Sequence, residues 1–275
     1  MQDELNIKEK HPVYKFGIGN KETLVTKIEE QGIDLRQELI EFHKRYYSGN
    51  IMKLVVLGKE NLSTLYNYVM KYYEDIPTNE SISIPKFPGL PFGTQLSKRA
   101  YMIPVRKETT KLELNFPARE VMSFYNCKPF SYISHLIGHE GNGSILSLLK
   151  KLGYANELSA GESHDASDWA IFNISVEMTK LGLERVEDVV DIIFAYINLL
   201  NEEDAQEWVF EETKNVANCR FRFLSKRNPI DYTCTLSTAM HLYPEDHIIA
   251  GMYKIYSYDA DVIREVSFLP YFAFN

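Results

Sequence analysis

The stretch HLIGHEGNGS, residues 135–144, brings together side chains that could do chemistry. His135 and His139 are four residues apart, so on a helix they share one face and could approach a single zinc ion. Glu140 adds a carboxylate, and the glycines behind it are typical of phosphate-binding loops and of tight turns. Three interpretations follow: a metal site, a phosphate loop, or a turn between two helices.

The spacing argues against the first two interpretations. The HExxH zinc motif has a glutamate directly after its first histidine, where this chain has Leu136. The inverted HxxEH motif has a glutamate directly before its second histidine, where this chain has Gly138. The glycine run follows a helical pattern rather than a strand and lacks a Walker lysine. The sequence therefore favours a helix-to-helix turn, and it assigns no metal ligand and no catalytic residue.

The elements that would position this turn follow from apolar periodicity. Helices are predicted at about 34–48, 62–72, 129–138, 144–152, from 183 onward, 204–225 and 230–242. Strands are predicted at 51–57, 99–105, 109–116, 156–161 and 169–178. The segment GESHDAS, residues 161–167, is predicted to be a hairpin loop. This order predicts an α+β fold with helices packed on mainly antiparallel sheets.

A proline-rich connector suggests two domains. Residues 76–92 read as an extended linker, so we expect a boundary near residue 90. Residues 1–90 offer one convincing strand, and a lone strand leaves its backbone N–H and C=O groups without partners. We therefore expect 1–90 to be the incomplete C-terminal part of a first domain, and 91–275 to be a second, non-catalytic α+β domain.

Composition limits the classes of partner. The formal net charge of -8 gives no basic footprint for nucleic acid. The three cysteines are far apart, which argues against a disulfide framework and favours a reduced, cytoplasmic location. No apolar run approaches membrane-spanning length, so neither a signal peptide nor a membrane partner is expected.

Four long stretches resemble one family. They are HPVYKFGIGNKETL at 11–24, GIDLRQELIEFHKRYYSGNIMKLVVLGKENL at 32–62, HLIGHEGNGSILSLLKKLGYANEL at 135–158 and QEWVFEETKNVANCRFRF at 206–223. All are similar to the insulysin branch of the pitrilysin-like, inverted-motif zinc metallopeptidases. The likeness extends over nearly the whole chain.

The resemblance implies a parent zinc metalloendopeptidase of four domains that hydrolyses peptides. In that family the zinc ligands, an HxxEH motif and a later glutamate, lie before the stretch that matches His11. Zinc is therefore expected in the parent protein and not on this chain, which is expected to be a fragment and inactive alone. Its expected partners are peptide substrates and the remaining domains of the parent.

The resemblance also implies a substrate-anchoring exosite, which holds the N-terminus of a peptide away from the zinc. Its matching positions here are His135, Gly138, Glu140, Leu158 and Ala160. A carboxylate can accept the α-ammonium group of a peptide, and a strand edge can pair with the peptide backbone. Ala160 departs from the family's glycine, so we expect the peptide to approach less closely there.

Two other functions remain open. The chain could be an inactive paralogue of the family that acts as a peptide-binding or assembly subunit, and the gene sequence upstream of Met1 would decide this through the presence or absence of an HxxEH motif. An independent zinc hydrolase built on His135 and His139 would need a third ligand that the sequence does not identify.

Overall fold

The fold was analysed in a computed structural model, which describes residues 18–87, 91, 110–166 and 168–267. The helices are α1 (Lys27–Glu30), α2 (Leu35–Tyr46), α3 (Leu62–Tyr73), α4 (Pro129–Ile137), α5 (Ile145–Leu152), α6 (Lys180–Glu184), α7 (Val186–Glu202), α8 (Glu207–Arg222), α9 (Pro229–Leu242) and α10 (Ala260–Ser267). The strands are β1 (Thr110–Arg119), β2 (Ala155–Asp165) and β3 (Trp169–Met178). The predicted strand at 99–105 lies outside the described residues.

These elements form two compact units. The helical unit contains α1, α2, α3 and α9, from residues 15–86 and 224–252. The sheet unit contains the three strands and the other helices, from the described residues within 87–223 and 253–267. The domain boundary expected near residue 90 stays a prediction.

The helical unit confirms three predicted helices, at 34–48, 62–72 and 230–242, and corrects a predicted strand. The Asp34 side chain caps α2 by accepting from the backbone N–H of Gln37, and Asn61 caps α3 in the same way. The strand predicted at 51–57 is wrong: residues 49–51 form a short 3-10 turn and 52–58 have no regular structure. Within the described ranges no strand pairs with this segment, so its backbone groups have no ladder to join.

The sheet unit is built on an antiparallel sheet with the strand order β1-β3-β2. Side chains alternate between its two faces. On one face of β3, Phe172, Ile174 and Val176 are at most 1% exposed and join the core cluster, while the other face carries Asn173 and Glu177. The α+β prediction with helices on one face of an antiparallel sheet is therefore confirmed.

The hairpin between β2 and β3 is longer than predicted. Residues 161–167 were expected to be a loop, yet β2 continues through Asp165, which pairs with Ala170. An irregularity in the register between Glu162 and His164 lets the pairing continue beyond Gly161.

Helix α5 fits its sequence signals closely. The Ser144 side chain accepts from the backbone N–H of Ser147, which caps the first turn. Gly153 has a φ of +74°, the left-handed conformation that ends helices and that glycine adopts without strain. None of the helices in the described part of the chain has the length and apolar content needed to cross a lipid bilayer.

The core predicts a sharp contrast between two neighbouring leucines of α5. Leu149 is fully buried, whereas Leu148 is 43% exposed. We expect Leu149→Ala to lower the free energy of unfolding by about 2–5 kcal/mol because it leaves a cavity. Leu148→Ala, the matched control, should change it by no more than about 0.5 kcal/mol. Urea unfolding followed by circular dichroism measures both, and equal losses would contradict this core assignment.

Candidate functional site

Helix α4 carries the first predicted site residues, and its C-terminal end lies against β2. Gly138 caps the helix by donating its N–H to the carbonyl of Ser134 at 2.9 Å. A methyl group added at Gly138 would lie 2.7 Å from that carbonyl oxygen and 3.9 Å from the amide nitrogen of Ala160. Glycine is favoured at position 138 because a Cβ atom there would clash with the carbonyl oxygen of Ser134 in the last turn of the helix. The backbone of β2 lies next to the same position.

The strand β2 has only one described neighbour, β3, so it forms an edge of the sheet as described. Leu158 is buried in the core and Ala160 is partly buried against it. Strand side chains stand roughly perpendicular to the sheet, so these two point towards the helices rather than outward from the edge of β2. Any ligand on this edge would contact the backbone of Leu158 and Ala160.

The two histidines do not converge on one point. The ring centroids of His135 and His139 are 6.3 Å apart. The Nε2 atom of His135 instead faces the Oε2 atom of Glu212, in α8, at 3.9 Å. Glu212 was missed by the sequence reasoning because the contact joins two helices that are distant in the chain. A carboxylate on the matching face of α8 carries no local signal of that contact.

The Glu140 side chain is exposed in the turn between α4 and α5. Among the described residues, no cation pairs with its carboxylate. Gly143, with a φ of +86°, lets the chain enter α5, so the helix-to-helix turn predicted for the glycine run is confirmed. The turn presents a carboxylate beside the end of α4, which itself abuts the edge strand.

A zinc ion has no evident place in this part of the chain. Within the described ranges, no three His, Cys, Asp or Glu side chains come close enough together to hold a metal ion. His135, His139 and Glu212 do not form such a group, so the residues present do not fit the zinc site that the family resemblance implies for the parent.

The other end of α4 carries an unusual lysine. Lys128 precedes the helix with a φ of +47°, a left-handed conformation that costs energy for a residue with a Cβ atom. Burial lowers the pKa of Lys128 to about 8, and the charge of Glu162 on β2 opposes part of that shift. The lysine thus marks the point where α4 begins beside the far end of β2.

The comparison with family models decides the affiliation. The model described as "Peptidase M16 inactive domain" matches residues 34–217. The chain belongs to the peptidase M16 family. A second model of the family, "Middle or third domain of peptidase_M16", matches residues 221–269.

Similarity to curated relatives shows that the chain is an insulysin-like member of the M16 family, which confirms the resemblance seen in the sequence motifs. It is 40% identical over 257 residues to "Insulin-degrading enzyme" of Homo sapiens and 36% identical over 255 residues to the protein of that name in Drosophila melanogaster. These matches cover 94% and 92% of this chain. The chain spans about a quarter of the length of these relatives, 25% and 26%.

Solved structures agree with the M16 fold. The crystal structure of pitrilysin superposes with a TM-score of 0.85 at 28% identity and covers 96% of this chain and 28% of that one. A peptidase M16 inactive domain from Pseudomonas fluorescens superposes with a TM-score of 0.55 at 15% identity, covering 99% of this chain and 61% of that one. The second match shows the fold alone.

The environment of Lys128 predicts a pH dependence of stability. The amine loses its proton near pH 8 in the folded chain, against 10.5 for an ordinary lysine. Between these values the unfolded chain binds more protons, so the contribution of Lys128 to the free energy of unfolding rises with pH. The free energy of unfolding can be measured by urea titration for the wild type and for Lys128→Met. We expect the wild-type value minus the variant value to increase from about pH 7 to about pH 10.

Cys127 titrates in the opposite sense, because burial raises its pKa from 9.0 to about 11 and its contribution falls above pH 9. Since both proteins contain Cys127, its effect cancels in the difference. Lys150→Met is the matched control, because Lys150 is an exposed lysine of the same unit. A Lys128→Met difference that stays flat, or falls, with rising pH would contradict the lowered pKa of this half-buried amine.

Proposed function

We propose that this chain is part of an insulysin-like zinc metalloendopeptidase that hydrolyses peptides, and that the described part anchors the N-terminus of the substrate. The observation that carries the proposal is the placement of Glu140. Its carboxylate is exposed, has no cation partner among the described residues, and follows the helix end that abuts β2. That arrangement supports a role in binding a cation beside a strand edge.

The chemistry of the anchor has two parts. The carboxylate of Glu140 would accept hydrogen bonds from the α-ammonium group of the peptide, and such charge-assisted bonds are stronger than neutral ones. The peptide backbone would pair with the edge of β2 that no described strand occupies, near Leu158 and Ala160, adding a strand to the sheet. Backbone pairing tolerates many side chains, which suits a site that receives varied peptides.

The remaining predicted residues would shape this anchor. Gly138 ends the helix beside the strand, and His135 lies one turn earlier, facing Glu212. The methyl group of Ala160 packs against the core, so it need not obstruct pairing along the edge. The expectation that Ala160 weakens binding relative to glycine stays a prediction.

Catalysis would belong to other parts of the parent protein, where a zinc-bound water would attack the peptide bond. The curated relatives are about four times as long as this chain, which leaves room for such parts in a protein of that length. We further propose a cytoplasmic location, supported by the free thiols of Cys127, Cys219 and Cys234.

The anchor predicts a preference for peptides with a free N-terminus. We expect the wild-type chain to bind a free peptide about tenfold more tightly than its N-acetylated form, because acetylation removes the ammonium charge. Glu140→Gln keeps the shape of the side chain but not its charge, so the preference should disappear. Isothermal titration calorimetry with the two forms of one peptide measures it.

Glu187→Gln is the control for the loss of one negative charge, because Glu187 is exposed at the start of α7, on another element. The preference for the free N-terminus should survive in that variant. Equal affinities of the wild type for both peptide forms, or a preference that persists in Glu140→Gln, would remove the proposed role of Glu140.

The proposal also predicts that the chain alone does not cleave peptides. A quenched fluorescent peptide should stay intact when incubated with the purified chain and added zinc, because the described residues hold no metal site. Chelator-sensitive cleavage together with stoichiometric bound zinc would show that the chain is a complete enzyme. It would contradict the proposal that catalysis belongs to other parts of the parent protein.

A further inference from the structure

A second candidate site lies in the sheet unit, and Glu140 is not among the residues that line it. It is a cavity of about 160 Å³ between α4, the end of α7 and the start of α8. Its floor is apolar: Ile133, Ile137, Ile197 and Val209 line it and are each at most 4% exposed. An apolar cavity of about 150 Å³ is large enough to hold a benzene ring.

Trp208 is one of the residues that line the cavity. Its side chain is 68% exposed, so the indole ring can be reached from solvent. Aromatic side chains bordering a cavity are typical of recognition sites, because they offer a large contact area with few rotatable bonds. We name the cavity and this side chain the Trp208 pocket.

The rim of the Trp208 pocket is acidic. No lysine or arginine is among the described residues that line it, although nearby Glu211 is paired with Lys214 at 2.8 Å. Glu203 and Asp204 line the pocket directly. Asp204 pairs with Arg264 at 3.0 Å, but Arg264 also pairs with Asp261 at 2.9 Å, so one cation serves two carboxylates. The rim therefore keeps an excess of negative charge.

From this geometry we propose that the Trp208 pocket is a second peptide-binding subsite, which takes one aromatic or branched aliphatic side chain flanked by lysine or arginine. The apolar floor would bury the side chain and the acidic rim would attract its cationic neighbours. The pocket makes no use of Glu140 and does not depend on a free N-terminus. This proposal can therefore be tested independently of the proposed anchor.

A second copy of this chain fits the pocket less well. The chain carries a formal net charge of -8, so two acidic rims brought together would repel. A cationic peptide instead gains from the rim and from the floor at once. The two carboxylates at the pocket also disfavour anionic ligands such as phosphates or acyl chains with free carboxyl groups.

The test uses a peptide that cannot engage Glu140: an N-acetylated, C-amidated pentapeptide with a central phenylalanine between two lysines. The chain has two tryptophans, so the two indole N–H signals in a nitrogen–proton NMR spectrum can be assigned with a Trp208→Phe variant. We expect the peptide to shift the Trp208 signal and to leave that of Trp169, which is buried, largely unchanged.

Three changes should weaken this binding. Replacing the phenylalanine of the peptide by alanine should lower the affinity about tenfold or more, since the apolar burial is lost. Trp208→Ala should lower it about threefold to tenfold, and Glu203→Gln by a smaller factor that shrinks further at high salt. Leu148→Ala, which removes an exposed apolar side chain of α5, is the matched control and should have no effect.

The alternatives give different results. Equal binding of the phenylalanine and alanine peptides would show charge attraction alone and would overturn the pocket. Equal affinity in Trp208→Ala and Leu148→Ala would do the same. If Trp208→Ala turned a dimer into a monomer in analytical ultracentrifugation, the pocket would be an interface between copies instead. Glu140→Gln should leave the binding of this acetylated peptide unchanged, which separates the two proposals.

Discussion

The pairing of β3 with strands on both of its sides is the interaction on which the sheet unit depends. Each backbone group of a central strand finds a partner in the ladder, so burying it costs little. One face of β3 can then be fully apolar and pack against the helices. Ile174 of β3, Ile193 of α7 and Phe210 of α8 are all fully buried in this core. The candidate sites lie where this arrangement ends: at the edge strand and at the helix ends.

Helix α4 connects the two sites. Its buried face packs Phe130 and Ile133 into the core, and Phe130 lies 5.2 Å from the ring of Phe172 in β3. The C-terminal end of α4 abuts Ala160 at the strand edge, while Ile133 and Ile137 also form part of the floor of the Trp208 pocket. A short helix of nine residues thus supplies surfaces for both proposed peptide contacts.

Local signals predicted most of the elements, and the exceptions have a common physical cause. Caps and periodicity located α2, α3, α4 and α5 because these signals act within a few residues. The apolar run at 51–57 looks like a strand, but strand formation needs a partner, and none of the described residues supplies one. Leu39 and Phe42 on α2 show that local spacing also does not determine burial. Their helical spacing predicted the helix correctly, yet they are 59% and 53% exposed.

The sequence by itself determined the family, the α+β class and the turn that carries Glu140, because long motifs and short-range spacing encode them. It also excluded both zinc motifs at His135 and His139. Only the tertiary structure decided that His135 faces Glu212 and that Gly138 lies beside Ala160. It alone brought α4, α7 and α8 together around the Trp208 pocket. These contacts join residues far apart in the chain, and packing of complete elements, rather than any local pattern, sets which of their faces meet.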